Sequence, residues 1–169
     1  MKKFVLIVLA LIMFIVPCIP WTVSIVEGIQ FDANCGDYLK LAADANSIDM
    51  AEKHLTSAIT YLETNNLTSG HTNVFIYYPK NDIGLWYENL KTAQTQLQEM
   101  RGGEYTELEQ SNMLMKLRET ILDENGTLTH PEGISLHPNY ALMLLLNILL
   151  WMPCWAMCII FGVWASEEY

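Results

Sequence analysis

The chain has 169 residues, of which 51% are hydrophobic and 17% charged, and 9 Lys and Arg stand against 19 Asp and Glu for a formal net charge of −10. So much apolar content with so few charges points to a membrane protein. The carboxylates are concentrated in the middle: residues 27–138 hold 7 Lys and Arg against 17 Asp and Glu, a balance that repels nucleic acid and excludes it as a partner.

Lys2 and Lys3 open the chain and an uncharged run of 23 residues, Phe4 to Val26, comes next. It reads as an uncleaved N-terminal transmembrane anchor over residues 1–26. A cleaved signal peptide would use Phe4–Val16 as its apolar core, but Thr22-Val23-Ser24 is a poor cleavage site and Pro17 before Cys18 suits a lipoprotein site badly. Pro17 and Pro20 lack amide protons and are expected to bend this helix near its outer end. The lysine-led start, with no basic residue after the second apolar run, puts the N-terminus in the cytoplasm.

Residues 27–126 read as an exoplasmic helical domain. Phe31, Cys35, Tyr38, Leu39 and Ala42 recur at helical offsets, so the first span continues outward as a helix over about 27–43. Asp44-Ala45-Asn46-Ser47 is rich in turn and capping residues. A second helix over about 47–65 carries the stripe Ala51, Leu55, Ala58, Ile59, Leu62. Leu67 to Asn81 is a loop broken by Gly70 and Pro79, and Asn81 or Asp82 caps the third helix. That helix shows the clearest packing seam: Ile83, Trp86, Leu90, Ala93, Leu97 and Met100 alternate steps of three and four. Gly102-Gly103 interrupts it. A fourth helix over about 105–123 carries Leu108, Leu114, Met115, Leu117, Ile121 and Leu122, and Asp123-Glu124-Asn125-Gly126 ends it.

Residues 127–139 are a linker. Gly133 to Ser166 holds no Asp, Glu, Lys or Arg. Tyr140 to Trp164 is the C-terminal transmembrane helix, about 37 Å long, enough for a hydrocarbon core of about 30 Å with some tilt. A short cytoplasmic tail, 165–169, closes the chain. The fold class is therefore an all-α membrane protein with two transmembrane helices flanking an exoplasmic helical bundle of up-down-up-down order. The alternative is a long antiparallel helical hairpin stalk with residues 67–81 at its far tip. The layout suits an integral protein of a bacterial inner (plasma) membrane with both termini cytoplasmic.

Candidate sites are contacts rather than chemistry. Cys154, Cys158 and Gly162 repeat at steps of four and form a small-residue row, with Asn147 near the same face; such rows let helices approach closely in lipid. In the bundle, Phe75, Tyr77, Tyr78 and Trp86 rest near the membrane surface, at a partner or at the headgroups. No HExxH or CxxC occurs, and the spacing of His130 and His137 around Glu132 matches no usual metal site. Met152, Cys154, Met157 and Cys158 read as apolar filler, so no cofactor and no metal is expected. Cys35 is either a packed thiol or an intermolecular bridge. Asn66-Leu67-Thr68 and Asn125-Gly126-Thr127 match the glycosylation acceptor pattern. The chain is not expected to be an enzyme. It reads as an accessory or structural subunit whose partners are a membrane protein or further copies of itself, together with the lipid bilayer. The alternative is an exoplasmic, sensor-like binding module that signals only through partners.

Overall fold

The computed structural model describes residues 12, 15–73 and 75–167, with side chains as far as Met157. Every element among them is helical: α1 (Cys18–Phe31), a π turn (Asp32–Gly36), α2 (Asp37–Ala43), α3 (Ile48–Thr64), α4 (Ile83–Arg101), α5 (Glu107–Ile121) and α6 (Tyr140–Glu167). α1, the π turn and α2 run on as one rod, so the described residues form five rods.

Local chemistry sets the ends of these helices. The Ser47 hydroxyl accepts from the Met50 amide at the start of α3, and the Asp82 carboxylate accepts from the Leu85 amide at the start of α4. Thr106 and Glu109 cap α5 reciprocally. α3 ends with Asn66 in the left-handed region (φ 57°), while the Asn66 and Leu67 amides donate to the Glu63 and Leu62 carbonyls. This satisfies the last carbonyls and tucks Leu67 back against the core.

α2, α3, α4 and α5 close a ring: α2 packs on α3, α3 on α4, α4 on α5, and α5 back on α2. The chain reverses at 44–47 and again at 102–106, so the order is up-down-up-down. A stalk would need α2 and α3 to continue as one rod; instead they lie side by side. The core is made of Leu39, Leu55, Leu62, Leu90, Leu97 and Leu117 with their neighbours. Alanines at 42, 51, 58 and 93 are buried in the same core. The stripes expected on α3 and α4 face inward, with Trp86 and Met100 only partly covered.

α5 differs from its expectation. Leu108 is 70% exposed and Met115 is also exposed, whereas Met113, Leu117 and Ile121 are buried. Steps of four from Met113 define the inward line, and Met115 lies about 200° round from it at 3.6 residues per turn. The acidic surface is tied across helices at several points. Arg101 bonds Asp49 and Glu52, each at 2.9 Å, Lys91 bonds Glu63 at 3.4 Å, and Arg118 pairs with Asp44.

α1 and α6 leave the same end of the bundle, its base, and lie against each other. Half-buried positions on α6 include Tyr140, Met143, Asn147, Leu150, Cys154 and Met157, alternating three and four like a coiled-coil seam. On α1 the buried or half-buried line is Pro17, Pro20, Ser24, Gly28 and Phe31. A turn at 16–17 precedes α1, and Pro20 falls in its first turn, where a missing amide costs least. The outer faces are bare and apolar: Ile19, Trp21, Ile25 and Ile29 on α1, Leu145, Leu149, Met152 and Trp155 on α6.

Among the described residues one helix is long and apolar enough to cross a membrane. In α6 the window Tyr140–Met157 has a mean hydropathy of 1.7, and 6% of it is buried in the protein. A core helix of a soluble fold would be covered; this one is not. α1 has 14 residues, about 21 Å at 1.5 Å per residue, and is short of a bilayer by itself. Half of the expected N-terminal anchor, residues 1–11, 13 and 14, lies outside the described residues. α6 also runs on to Glu167, past the expected start of a tail at 165.

Candidate functional site

The base of the bundle gathers the loop after α3, the linker before α6 and the start of the α1–α6 seam. The chain returns there after α3 as the loop 65–82. Two backbone bonds close the loop's neck, from the Thr72 amide to the Asn81 carbonyl at 3.1 Å and from the Ile83 amide to the Gly70 carbonyl at 2.9 Å. Gly70 has φ +101°, and a Cβ there would lie 2.7 Å from the His137 ring, so only glycine fits against that histidine. His71 holds the neck from the other side, 3.7 Å from the Asp82 carboxylate, with its ring 4.6 Å from that of Tyr77. Beyond the neck Phe75, Ile76, Tyr77 and Tyr78 are exposed in succession.

Trp86 is separate from this exposed group. It is half-buried on α4, packed against the core, and its indole nitrogen donates to the Thr129 carbonyl at 2.8 Å. It ties the linker 127–139 to the bundle. The same linker is fixed by His130 against Phe31 (ring centroids 5.4 Å apart), by buried Pro131 and Ile134, and by Leu128 against Gly36 in the π turn. Gly133, at φ +78°, lies under the Tyr140 ring, where a Cβ would be 2.8 Å away. The segment before α6 is thus an ordered joint, and His137–Pro138 within it is cis.

Along the α1–α6 seam, the Asn147 side-chain amide donates to the Met143 carbonyl at 2.9 Å, while its Oδ1 is buried without a hydrogen-bond partner. Cys154 lies on the same seam. Cys158 and Gly162 lie within α6, with side chains outside the described part. Asn147 and Cys154 therefore face α1 within one chain.

Cys35 sits in the π turn, where the Asp37 amide bonds the Asp32 carbonyl five residues back. It is fully buried, so it is the packed thiol and not a bridge. Burial pushes it up to about 12, with the Asp32 charge adding to the effect. Tyr87 donates to Glu63 at 2.6 Å; burial and that carboxylate raise the phenol to about 12, and the same bond holds Glu63 below the usual carboxylate range. Burial lowers His137, opposed by a hydrogen bond with the Ser69 backbone.

His130 and His137 serve different contacts, and no metal-ligand cluster occurs among the described residues. A groove of about 550 Å³ at the base, between α4, α5 and the linker, is lined by Leu85, Trp86, Leu90, Leu128 and Pro131, with Lys80 at its side. A second of about 550 Å³ at the far end lies between the 43–46 turn and α5, and its Asp44 is engaged by Arg118. Ile76 completes the exposed aromatic row and was not among the residues expected there. The signal in the sequence is charge: residues 64–81 contain no Asp or Glu, the longest such stretch between 27 and 138. Comparison with protein-family models, curated proteins and solved structures finds no match to this chain.

Proposed function

We propose that this chain is a two-span membrane protein that serves as an accessory or structural subunit of a membrane assembly. In this reading α6 crosses the bilayer and the N-terminal apolar run, ending in α1, crosses beside it in the opposite direction. The acidic bundle stands on the exoplasmic side and both termini are cytoplasmic. The observation that carries it is the uncovered apolar surface of α6, joined through an ordered linker to a polar bundle whose own core is closed. α1 lines up on the same axis, with Ile19, Trp21, Ile25 and Ile29 equally bare. Two helices cannot by themselves enclose a pore. The surfaces this reading puts to use are the bare outer faces of α1 and α6 and the surface of the bundle. This reading assigns no catalytic step.

The test is cross-linking in native membranes through a cysteine placed on the bare outer face of α6, Leu145→Cys or Leu149→Cys, followed by mild-detergent purification and mass measurement by light scattering. The reading predicts a cross-linked species and a particle larger than one 19.3 kDa chain plus its micelle. A lone monomer in both measurements contradicts it.

A further inference from the structure

We infer that Phe75, Ile76, Tyr77 and Tyr78 insert into the headgroup region of the bilayer that α6 crosses, giving the bundle a third foothold beside its two helices. This rests on the two-span reading. Three observations carry it.

The first is position. The neck of the loop is locked to His137, three residues ahead of the first residue of α6, by a contact that tolerates no side chain at Gly70. The loop therefore emerges at the level where α6 begins its apolar run, which is the water–lipid boundary of a spanning helix. The second is exposure. The four side chains are 83%, 55%, 69% and 48% exposed in sequence order, so neither side of the segment is covered by the bundle. Phe and Ile in water favour an apolar medium, and Tyr supplies rings whose hydroxyls stay wet, as the headgroup layer requires. The third is charge. Residues 27–138 carry 17 carboxylates, yet 64–81 carry none and include Lys80. The one long part of an acidic domain that an anionic lipid surface does not repel is the part pointing at it. A protein partner would also accept aromatics, but it gives no reason for the carboxylates to stop at the level of the membrane.

The full-length protein is reconstituted in vesicles of phosphatidylcholine and phosphatidylglycerol, with no other protein present. Cys18, Cys154 and Cys158 are replaced by alanine, and an environment-sensitive fluorophore is attached to Phe75→Cys, Tyr77→Cys, Glu104→Cys or Leu149→Cys in turn. Quenching is measured with headgroup-spin-labelled lipid, with deep acyl-chain-labelled lipid and with aqueous iodide. The inference predicts headgroup quenching at 75 and 77 about threefold above that at 104, with iodide access reduced about as much, as for an interfacial aromatic site. The label at 149 should be quenched by the deep lipid. If 149 is quenched and 75 and 77 behave like 104, the foothold is refuted and the two-span reading stands. If 149 is not quenched either, the two-span reading fails and the foothold with it.

Discussion

Gln94 is the buried polar side chain at the centre of the α3–α4 contact, 7% exposed, and its two ends make separate bonds. Its Nε2 donates to Thr56 Oγ1 at 2.9 Å, and its Oε1 accepts from Lys91 at 3.0 Å. Thr56→Val keeps the shape and removes the acceptor, leaving a donor in a place that water barely reaches. An orphaned buried donor costs about 1–3 kcal/mol, and the slight exposure of Gln94 puts this one at about 1–2 kcal/mol. In a domain of roughly this size each kcal/mol moves the melting temperature by about 4–8 °C. Thr56→Val should therefore lower the Tm by about 4–16 °C on that scale. Gln94→Leu removes the donor altogether. Thr56 can then turn its hydroxyl to the carbonyl four residues back, as Thr60 does to the Thr56 carbonyl at 2.8 Å. Adding Thr56→Val to Gln94→Leu should change little. The assay is thermal unfolding of the full chain in dodecyl maltoside, followed by circular dichroism, for all four members of the cycle. The expected coupling is about 1 kcal/mol or more, as found for directly bonded neighbours. If Thr56→Val costs the same in both backgrounds, the two side chains do not interact and α3 and α4 do not pack in this register.

Leu97→Ala, at a fully buried seam position, should cost about 2–5 kcal/mol, whereas Leu108→Ala, 70% exposed, should stay within about 0.5 kcal/mol; the same melts measure both. Cys35, the remaining thiol when the other cysteines are alanine, should resist iodoacetamide at pH 8 until the bundle unfolds, with mass spectrometry counting the adducts. Its folded value of about 12 lies above its ordinary 9.0, so its contribution to stability is complete below pH 9 and is lost as pH rises from there toward 12. His137 shifts the other way. Its folded form favours the neutral ring, so the unfolded chain takes up the proton first, and stability is full above pH 6.5 and falls as pH drops below it. Hydrogen exchange of the Thr72 amide, corrected for intrinsic rates, should speed up between pH 7 and pH 5, and His137→Phe should abolish that change.

The helices themselves are legible in the sequence because their signals are local. Ser47 and Asp82 cap where capping chemistry places them, and the Ala51–Leu62 and Ile83–Leu97 stripes keep the helical period that burial demands. Bundle and stalk are harder to separate, for a physical reason. Both pair α3 with α4 and α2 with α5. They differ in whether α2 folds onto α3 and α4 onto α5, which depends on a few turn residues. The Lys116–Gln96 bond of 3.1 Å across α4 and α5 belongs to the bundle alone. Leu108 and Met115 mislead because an apolar residue says nothing of which face it shares. Trp86 looks like part of the aromatic loop, four residues beyond Asp82; its indole needs an acceptor, and finds one at Thr129, 43 residues away. The Gly70–His137 contact is similarly distant in sequence, and no period reports it. The π turn at Asp32–Gly36 leaves no mark in the apolar spacing, since Phe31, Cys35 and Leu39 read as an ordinary helix face.

Sidedness tests the two-span arrangement most directly. In intact cells expressing single-cysteine forms, a membrane-impermeant maleimide is applied before and after permeabilisation, with Glu104→Cys reporting the far end of the bundle and Glu168→Cys the C-terminus. The arrangement predicts labelling of 104 from outside, labelling of 168 only after permeabilisation, and retention of the chain in membranes washed with alkaline carbonate. Protection of 104 until the membrane is opened, or release of the chain by the wash, would contradict it.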